Sequence, residues 1–201
     1  MEFKIKRVKY KKKGTICDVV LDNDEVLEIN TDLVLKFNMN VGKSFSKESI
    51  NEILHEHRIM DIKKKAYDYA SFKPRSERKV IEKLEKEGFD NEEISTALTF
   101  LYKYDLLDDK KFADMYVKDF LMKKNAGKFK LINKLMENGI SRDIAEDTVN
   151  KQIDENMEYE MAIDELEKLK KQKKDSNSLK MKRFLENRGF SFEIIKKIKE
   201  L

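Results

Sequence analysis

The chain has few of the residues that interrupt helices or that cross-link a fold. Its 201 residues include one cysteine, one proline, six glycines, two histidines and no tryptophan. The single cysteine, Cys17, excludes an intrachain disulfide and fits a reducing compartment. The scarcity of proline and glycine favours helices, because these two residues are the poorest helix formers.

Long apolar runs are also missing. No segment approaches the roughly 20 consecutive apolar residues that a membrane span requires, and the lysine-rich N-terminus has no apolar core of a secretory signal. Charged residues make up 41% of the chain and hydrophobic residues 40%. This hydrophobic content is low for a single globular core but suits several small helical layers. We therefore expect a cytoplasmic protein with no membrane contact.

Motifs for catalysis and cofactor binding are scarce. There is no glycine-rich phosphate loop, no Cys-x-x-Cys pair and no Ser/His/Asp pattern in a recognisable context. His55 and His57 are two residues apart, so on a helix they point in different directions and cannot share a metal ion; we expect both to be exposed. We predict neither a catalytic residue nor a metal nor a cofactor.

What the chain does contain is a ten-residue sequence motif, the repeat motif, in three copies. The copies read Val80-x-x-x-Leu84-x-x-x-Gly88-Phe89, Leu131-x-x-x-Leu135-x-x-x-Gly139-Ile140 and Met181-x-x-x-Leu185-x-x-x-Gly189-Phe190. The glycines are 51 and 50 residues apart, and internal repeats near this length are typical of stacked supersecondary units. A tandem array more often binds a partner than cleaves a bond.

Each copy of the repeat motif predicts the end of a helix. Apolar residues at i and i+4 lie on one helix face, and the glycine follows where a left-handed residue would close the last turn. A helix-start signal comes next, at Asp90, Ser141 and Ser191, because Asp and Ser accept hydrogen bonds from the first amides of a helix. We predict that Gly88, Gly139 and Gly189 have positive φ.

The repeats suggest three units of three helices. We assign residues 46–106 to a linking helix and repeat one, residues 107–155 to repeat two, and residues 156–201 to repeat three. One such unit is too small to be stable alone, whereas stacked units cover one another and form an elongated, curved array. The predicted fold is therefore mainly α, with tandem three-helix repeats.

Residues 1–45 have a different pattern of polar and apolar residues, which predicts a small antiparallel β-sheet. Phe3 to Tyr10 alternates between lysine and apolar residues, as a half-buried strand does, and residues 17–29 read as a hairpin around a polar turn. We expect about three strands, then a loop over residues 38–46, with Ser46 capping the linking helix.

The adjacent acids Asp108 and Asp109 allow two interpretations. A carboxylate pair is a possible ligand set for a divalent metal. Asp is equally a residue type that caps helices, and a helix is predicted through Phe112. We predict that these two acids, like the three repeat glycines, are structural.

Lysine clusters are the strongest sign of a partner. Residues 4–13 contain seven basic residues and no acid, and further clusters surround Gly127 and occupy residues 168–174. Our candidate contacts with a partner or with DNA are Lys123, Lys124, Lys128, Lys130, Lys170, Lys171, Lys173 and Lys174. Such clusters neutralise phosphates, although in a lysine-rich protein any one of them can be a solvated face. No motif for reading bases accompanies them, so we expect weak, non-specific binding of single-stranded DNA.

The repeat region resembles the RecX family, the bacterial regulators of the RecA recombinase. The resemblance covers roughly residues 60–201 and rests on three motifs, of which the second is the most specific. The first motif is Arg75-Ser76-Glu77 followed by Leu84-x-x-x-Gly88-Phe89. The second is Leu106-Leu107-Asp108-Asp109-Lys110-Lys111-Phe112-Ala113, and the third is Gly127-x-x-x-Leu131-Ile132-x-x-Leu135.

This resemblance implies a non-enzymatic protein that binds in the groove of the RecA–DNA filament, and we expect the protein to be a monomer. It implies inhibition of filament growth, strand exchange, ATP hydrolysis and the coprotease role of RecA in the SOS response, and hence a place in DNA repair and recombination. Other classes remain open on the residues alone: a helical-repeat scaffold for another protein, a general nucleic-acid-binding protein, or a metal-dependent enzyme that uses Asp108 and Asp109.

Overall fold

The computed structural model describes residues 2–11, 15–172 and 177–198. A small antiparallel sheet comes first and helices follow, so the predicted mainly α fold with an N-terminal sheet is confirmed. The strands and the short helix among them are β1 (Glu2–Tyr10), β2 (Ile16–Leu21), β3 (Val26–Asn30), α1 (Thr31–Lys36) and β4 (Ser44–Ser46). The remaining helices are α2 (Lys47–Phe72), α3 (Glu77–Lys86), α4 (Asn91–Lys103), α5 (Asp109–Leu121), α6 (Lys128–Glu137), α7 (Arg142–Gln152), α8 (Glu155–Gln172), α9 (Ser178–Asn187) and α10 (Phe192–Lys197).

The chain divides into two compact units. The first unit consists of Met1–Ala66 and Phe89–Ala97, and the second consists of Tyr67–Gly88 and Leu98–Leu201. Of the three changes between units, two fall inside helices, α2 and α4, and one falls in the turn between Gly88 and Phe89. The limits that we gave to the sheet region and to the three repeats are a separate division, which stays a prediction.

The first unit is built on a four-stranded antiparallel sheet in the order β3-β2-β1-β4. Ile5 pairs with Leu21 and Cys17 pairs with Ile29, and all four side chains are buried. Their face of the sheet joins a core that includes Leu33 and residues of α2. The alternation seen in the sequence thus does form a sheet with one buried face, as period-two patterns predict.

One local prediction for this region is wrong, and one short helix was not predicted. Residues 44–46 form β4 instead of a loop, because Phe45 finds a partner in Phe3 of β1. Residues after β3 form the short helix α1, where the Asn30 side chain accepts a hydrogen bond from the Asp32 amide. A three-residue strand and a six-residue helix are too short to show a period in the sequence.

The start of α2 contains one confirmed and one incorrect prediction. Ser46 Oγ accepts a hydrogen bond from the Ser49 amide at 3.2 Å, which is the predicted cap. His55 is exposed as expected, but His57 is partly buried and its Nδ1 accepts a hydrogen bond from the Asn30 amide at 3.2 Å. His57 therefore ties α2 to the end of β3.

The second unit has a hydrophobic core that runs through two helix triplets. Helices α5, α6 and α7 pack on one another, as do α8, α9 and α10. Side chains of both triplets belong to one buried cluster, among them Leu131 and Leu135 of α6 and Met181 and Leu185 of α9. Each triplet thereby covers apolar surface of its neighbour, which a unit of this size needs for stability.

The glycine turns have the predicted geometry. Gly88, Gly139 and Gly189 have φ of 82°, 90° and 79°, in the left-handed region that favours glycine. After α6 the Ile140 amide bonds to the Leu135 carbonyl at 3.1 Å, the long-range bond of a Schellman motif. The corresponding bond after α9 joins Phe190 to Leu185, and the predicted caps Asp90, Ser141 and Ser191 each accept a hydrogen bond from the following helix.

Candidate partner-binding surface

The two acids Asp108 and Asp109 cap two different helices. Asp108 accepts a hydrogen bond from the Lys111 amide at 3.0 Å and caps α5. The Asp109 Oδ1 atom accepts from the Glu77 amide at 3.0 Å, at the start of α3. Asp109 therefore joins two helices that are 32 residues apart in sequence, which no local motif indicates.

Burial dominates the electrostatics around Asp109. Desolvation raises the pKa of the Asp109 carboxyl, against the opposite effect of the Glu77 amide. Tyr102 donates a hydrogen bond to the Glu77 carboxylate. The pKa of Tyr102 is raised, mainly by desolvation and to a smaller extent by this hydrogen bond. Within the described ranges, no group of three or more His, Cys, Asp or Glu residues is placed to hold a metal ion.

We use the name first junction for the contact of Ser76 and Glu77 with Asp109 and Asn138. Besides the Asp109 bond, the buried Ser76 hydroxyl donates to the Asn138 carbonyl at 2.5 Å. Asn138 immediately precedes the turn glycine Gly139. The start of α3 thus packs on the glycine turn that ends α6.

A second junction, of Gly127 and Lys128 with Glu158 and Arg188, is built at equivalent positions of the next repeat. The Gly127 amide donates to the Arg188 carbonyl at 3.0 Å. Glu158, with only 2% of its surface exposed, accepts from the Lys128 amide at 3.1 Å. A Cβ atom on Gly127 would lie 2.1 Å from the Gly189 carbonyl oxygen, so only glycine allows this approach.

The lysines around Gly127 therefore have unequal surroundings. Lys123 and Lys124 follow α5, are exposed and have no ion-pair partner among the residues described. Lys128 is partly buried and donates from Nζ to the Asn150 side chain at 3.2 Å. Lys130 is also partly buried, and its backbone nitrogen would be 2.4 Å from a Cβ on Gly189.

The lysines at the end of α8 are more open. Lys170 and Lys171 lie in the last turn of the helix and are exposed. The Lys171 Nζ is 3.9 Å from the Glu167 carboxylate, a long and weak pair at the surface. Lys173 and Lys174 lie outside the described residues.

One side-chain contact brings the two open lysine groups to the same side of the second unit. Asn125, in the loop after α5, donates to the Asp164 carboxylate of α8 at 3.4 Å. Asp164 and Lys171 are seven residues apart, so they share a helix face. The loop with Lys123 and Lys124 therefore lies beside the face of α8 that carries Lys171. We call these three lysines the basic surface.

The N-terminal lysine cluster is partly engaged within the first unit. Lys6 forms an ion pair with Asp24 at 2.6 Å, and Lys11 contacts Asp18 at 3.0 Å and also Glu28. The pKa of Lys11 is raised, first by its hydrogen bond to Glu28. These partners neutralise part of the cluster.

Sequence reasoning did not predict the contacts that make the junctions specific: it named Ser76 only as part of a motif, and it did not single out Glu158. A signal was present, because Ser76 is 51 residues before Gly127 and Glu158 is 49 residues after Asp109. Aligning the repeats on their glycines pairs Ser76 with Gly127 and brings Asp109 within one position of Glu158. As for the membrane, none of the helices in the described part of the chain has the length and apolar character to span one.

Comparisons with known proteins agree with this architecture. A family model described as RecX, first three-helix domain, matches residues 63–101. The chain is 31% identical over 187 residues to "Regulatory protein RecX" of Clostridium botulinum strain Eklund 17B, covering 90% of this chain and 87% of that protein. It is 30% identical over 200 residues to the protein of the same name in Clostridium acetobutylicum, covering 95% and 92%.

Two solved structures resemble the fold. A crystal structure of regulatory protein RecX superposes with a TM-score of 0.76 at 20% identity and covers 99% of this chain and 100% of its own. The crystal structure of RecX from Lactobacillus salivarius gives a TM-score of 0.64 at 28% identity, over 70% of this chain and 94% of its own. The first likeness concerns the fold alone, at an identity this low.

Proposed function

The chain belongs to the RecX family, and from this premise we propose that it is a non-enzymatic regulator that binds the RecA–single-stranded DNA filament. On binding it inhibits the RecA ATPase, strand exchange and the coprotease activity. The protein acts as a monomer in the cytoplasm, and its own affinity for single-stranded DNA is weak and non-specific.

The basic surface is the observation that carries the proposal. Lys123, Lys124 and Lys171 are exposed on one side of the second unit, and the first two have no ion-pair partner in the described ranges. A nucleoprotein filament presents phosphates and acidic side chains, so cations that are not already paired gain most from approaching it. Lys170, Lys173 and Lys174 extend the same cluster in sequence.

The exposed loop adds an apolar element to this surface. Met122 precedes Lys123 and has 83% of its surface exposed. Flexible methionine side chains adapt to irregular protein surfaces. We expect Met122 to contact the protein component of the filament while the neighbouring lysines provide the electrostatic attraction.

The test is ATP hydrolysis by RecA on single-stranded DNA, titrated with this protein, together with co-sedimentation of the filament. The variant combines Lys123→Glu, Lys124→Glu and Lys171→Glu. We expect weaker binding and a salt slope that is less steep by about 2, since each phosphate contact on a single strand contributes about 0.7.

The matched control reverses the same number of charges on the first unit. Lys43, Lys47 and Lys64 are exposed and form no ion pair in the part of the chain that the structure describes, so their change to Glu alters net charge equally. Equal weakening in both variants would show that only net charge matters and would reject the basic surface. Absence of any effect of the unchanged protein at micromolar concentration, on hydrolysis and on sedimentation, would reject the RecA proposal and favour a scaffold.

A further inference from the structure

The second unit contains a cleft that none of the functions above uses. Its volume is about 380 Å³, and it lies between the segment that precedes α3 and one face of α5. This is within the size range of small ligand pockets. Lys73 and Arg75 line one wall, and Phe112, Met115 and Tyr116 line the other.

The wall that precedes α3 is cationic. Lys73 is exposed and has no ion-pair partner among the described residues. Lys79, further into α3, also lines the cleft but is already paired with Glu82 at 2.9 Å. Two cations are therefore available to an anionic ligand, Lys73 and Arg75.

Arg75 is held in place without being neutralised. Its guanidinium lies over the Tyr69 ring, 4.2 Å from the centroid, which fixes the side chain by a cation–π contact. Its Nε atom is buried and has no hydrogen-bond partner in the described structure. A buried donor without a partner is costly, and a carboxylate in the cleft would offset this cost by pairing with the guanidinium charge.

The wall on α5 is apolar and uneven. Phe112 and Tyr116 are one helical turn apart, with ring centroids 5.8 Å apart and planes inclined by 33°. Met115 lies between them in sequence, also lines the cleft and has 42% of its surface exposed. Inclined rings with a flexible thioether suit a branched or aromatic side chain.

We infer that this cleft binds a short acidic peptide segment of a partner protein, with one large apolar side chain against α5 and a neighbouring carboxylate on Lys73 and Arg75. Asp119 also lines the cleft. An acid at this position repels a strand that carries a phosphate on every nucleotide, whereas a peptide can place a backbone N–H there. The charges therefore favour a peptide over a nucleic acid.

The experiment follows the methyl resonance of Met115 in the full-length protein by NMR, with Met115→Leu to assign it. The probe is the peptide Asp-Glu-Phe-Glu-Asp, compared with Asn-Gln-Phe-Gln-Asn, with Asp-Glu-Ala-Glu-Asp and with a ten-nucleotide oligothymidylate. We expect saturable shifts with the first peptide and affinity about fivefold or more weaker for each of the others, because both the charge and the apolar anchor contribute.

Two charge reversals separate the cleft from general electrostatics. Lys73→Glu should weaken binding of the acidic peptide about fivefold or more, whereas Lys86→Glu, at the exposed end of α3 and outside the cleft, should leave it unchanged. An unmoved Met115 resonance, equal affinity for the neutral peptide, or shifts with oligothymidylate alone would each overturn the inference. Since the titration contains no RecA, its result is independent of the filament experiment.

Discussion

The first and second junctions occupy equivalent positions in the repeats but are made by different chemical groups. At the first junction the Ser76 side chain donates to the carbonyl before a turn glycine, and at the second the Gly127 backbone amide does so. An acid from the following helix triplet completes each junction, Asp109 in one and Glu158 in the other. The same helix start is therefore bound to the next repeat in both places.

The difference shows how one residue sets the closeness of two backbones. Ser76 has a side chain, so its hydroxyl spans the gap to Asn138. Gly127 has none, and the chain approaches until the Phe129 amide also bonds to the Gly189 carbonyl, at 3.1 Å. The second junction is the tighter one, and we expect substitutions there to destabilise the protein more.

The largest effect is expected for Gly127→Ala. The added Cβ would lie 2.1 Å from backbone atoms of Gly189 and Phe190, so the chains must separate and lose the backbone bonds between them. We expect a loss of unfolding free energy on the order of 3 kcal/mol, as for severe overpacking, measured by urea denaturation. Ser76→Ala, which only removes a hydroxyl, should cost about 1 kcal/mol. An equal cost for the two variants would contradict the proposed difference in closeness.

A smaller effect is expected for Glu158→Ala. In the wild-type protein one Glu158 carboxylate oxygen accepts hydrogen bonds from the Lys128 amide and, at 3.4 Å, from the Ser191 amide. The change to Ala leaves both amides without this acceptor in a buried site. The expected loss is about 2 kcal/mol, from the range for buried donors left unpaired. Glu158→Gln retains an oxygen acceptor and should recover at least half of it. If Gln and Ala are equally destabilising, the hydrogen bonds are not the reason.

Asp109→Ala should cost less, because Asp109 accepts one amide bond at a partly exposed site. We expect a loss of roughly 0.5–2 kcal/mol, as for other helix caps, and recovery with Asp109→Asn, which can accept the same bond. The measurement is thermal unfolding alongside calorimetry with Mg²⁺ and Mn²⁺. Metal binding that disappears in Asp109→Ala would reopen the interpretation as a metal-dependent enzyme.

The smallest effect is a pH dependence of stability that comes from Asp109 at the first junction. Burial raises the pKa of Asp109 above its unfolded value, so between these two pKa values the folded state binds more protons than the unfolded state. Stability from this group is therefore present at low pH and lost as pH rises through the folded pKa. Asp109→Asn cannot titrate, so its stability relative to the wild-type protein should increase from pH 4 to pH 7. A constant difference across this range would show that Asp109 ionises normally.

Local sequence was sufficient for the helix ends. A glycine after an i, i+4 apolar pair, followed by Asp or Ser, specifies a left-handed residue and a cap within a few residues. The turns at Gly139 and Gly189 and the caps Ser141 and Ser191 therefore form as predicted. In the same way Ser46 was identifiable as a cap from its own neighbours.

Features that depend on distant partners were not predictable in this way. The strand β4 exists because Phe45 pairs with Phe3, and His57 is held by the Asn30 amide from another element. Neither Phe45 nor His57 has a local pattern that indicates the contact. The lysine candidates show the same limit, because sequence grouped Lys128 with Lys124 although Lys128 is partly buried beside Asn150.

The sequence by itself determined the repeat, its helices and their ends, since these follow from hydrogen bonds and side-chain contacts within about one helical turn. Only the tertiary structure decided which residues meet between repeats: Asp109 at the start of α3, and Glu158 at the start of α6. It likewise placed Arg75 and Met115 in the lining of one cleft. These residues are tens of positions apart, and their meeting depends on how the helices pack, which the spacing of residues within one helix does not specify.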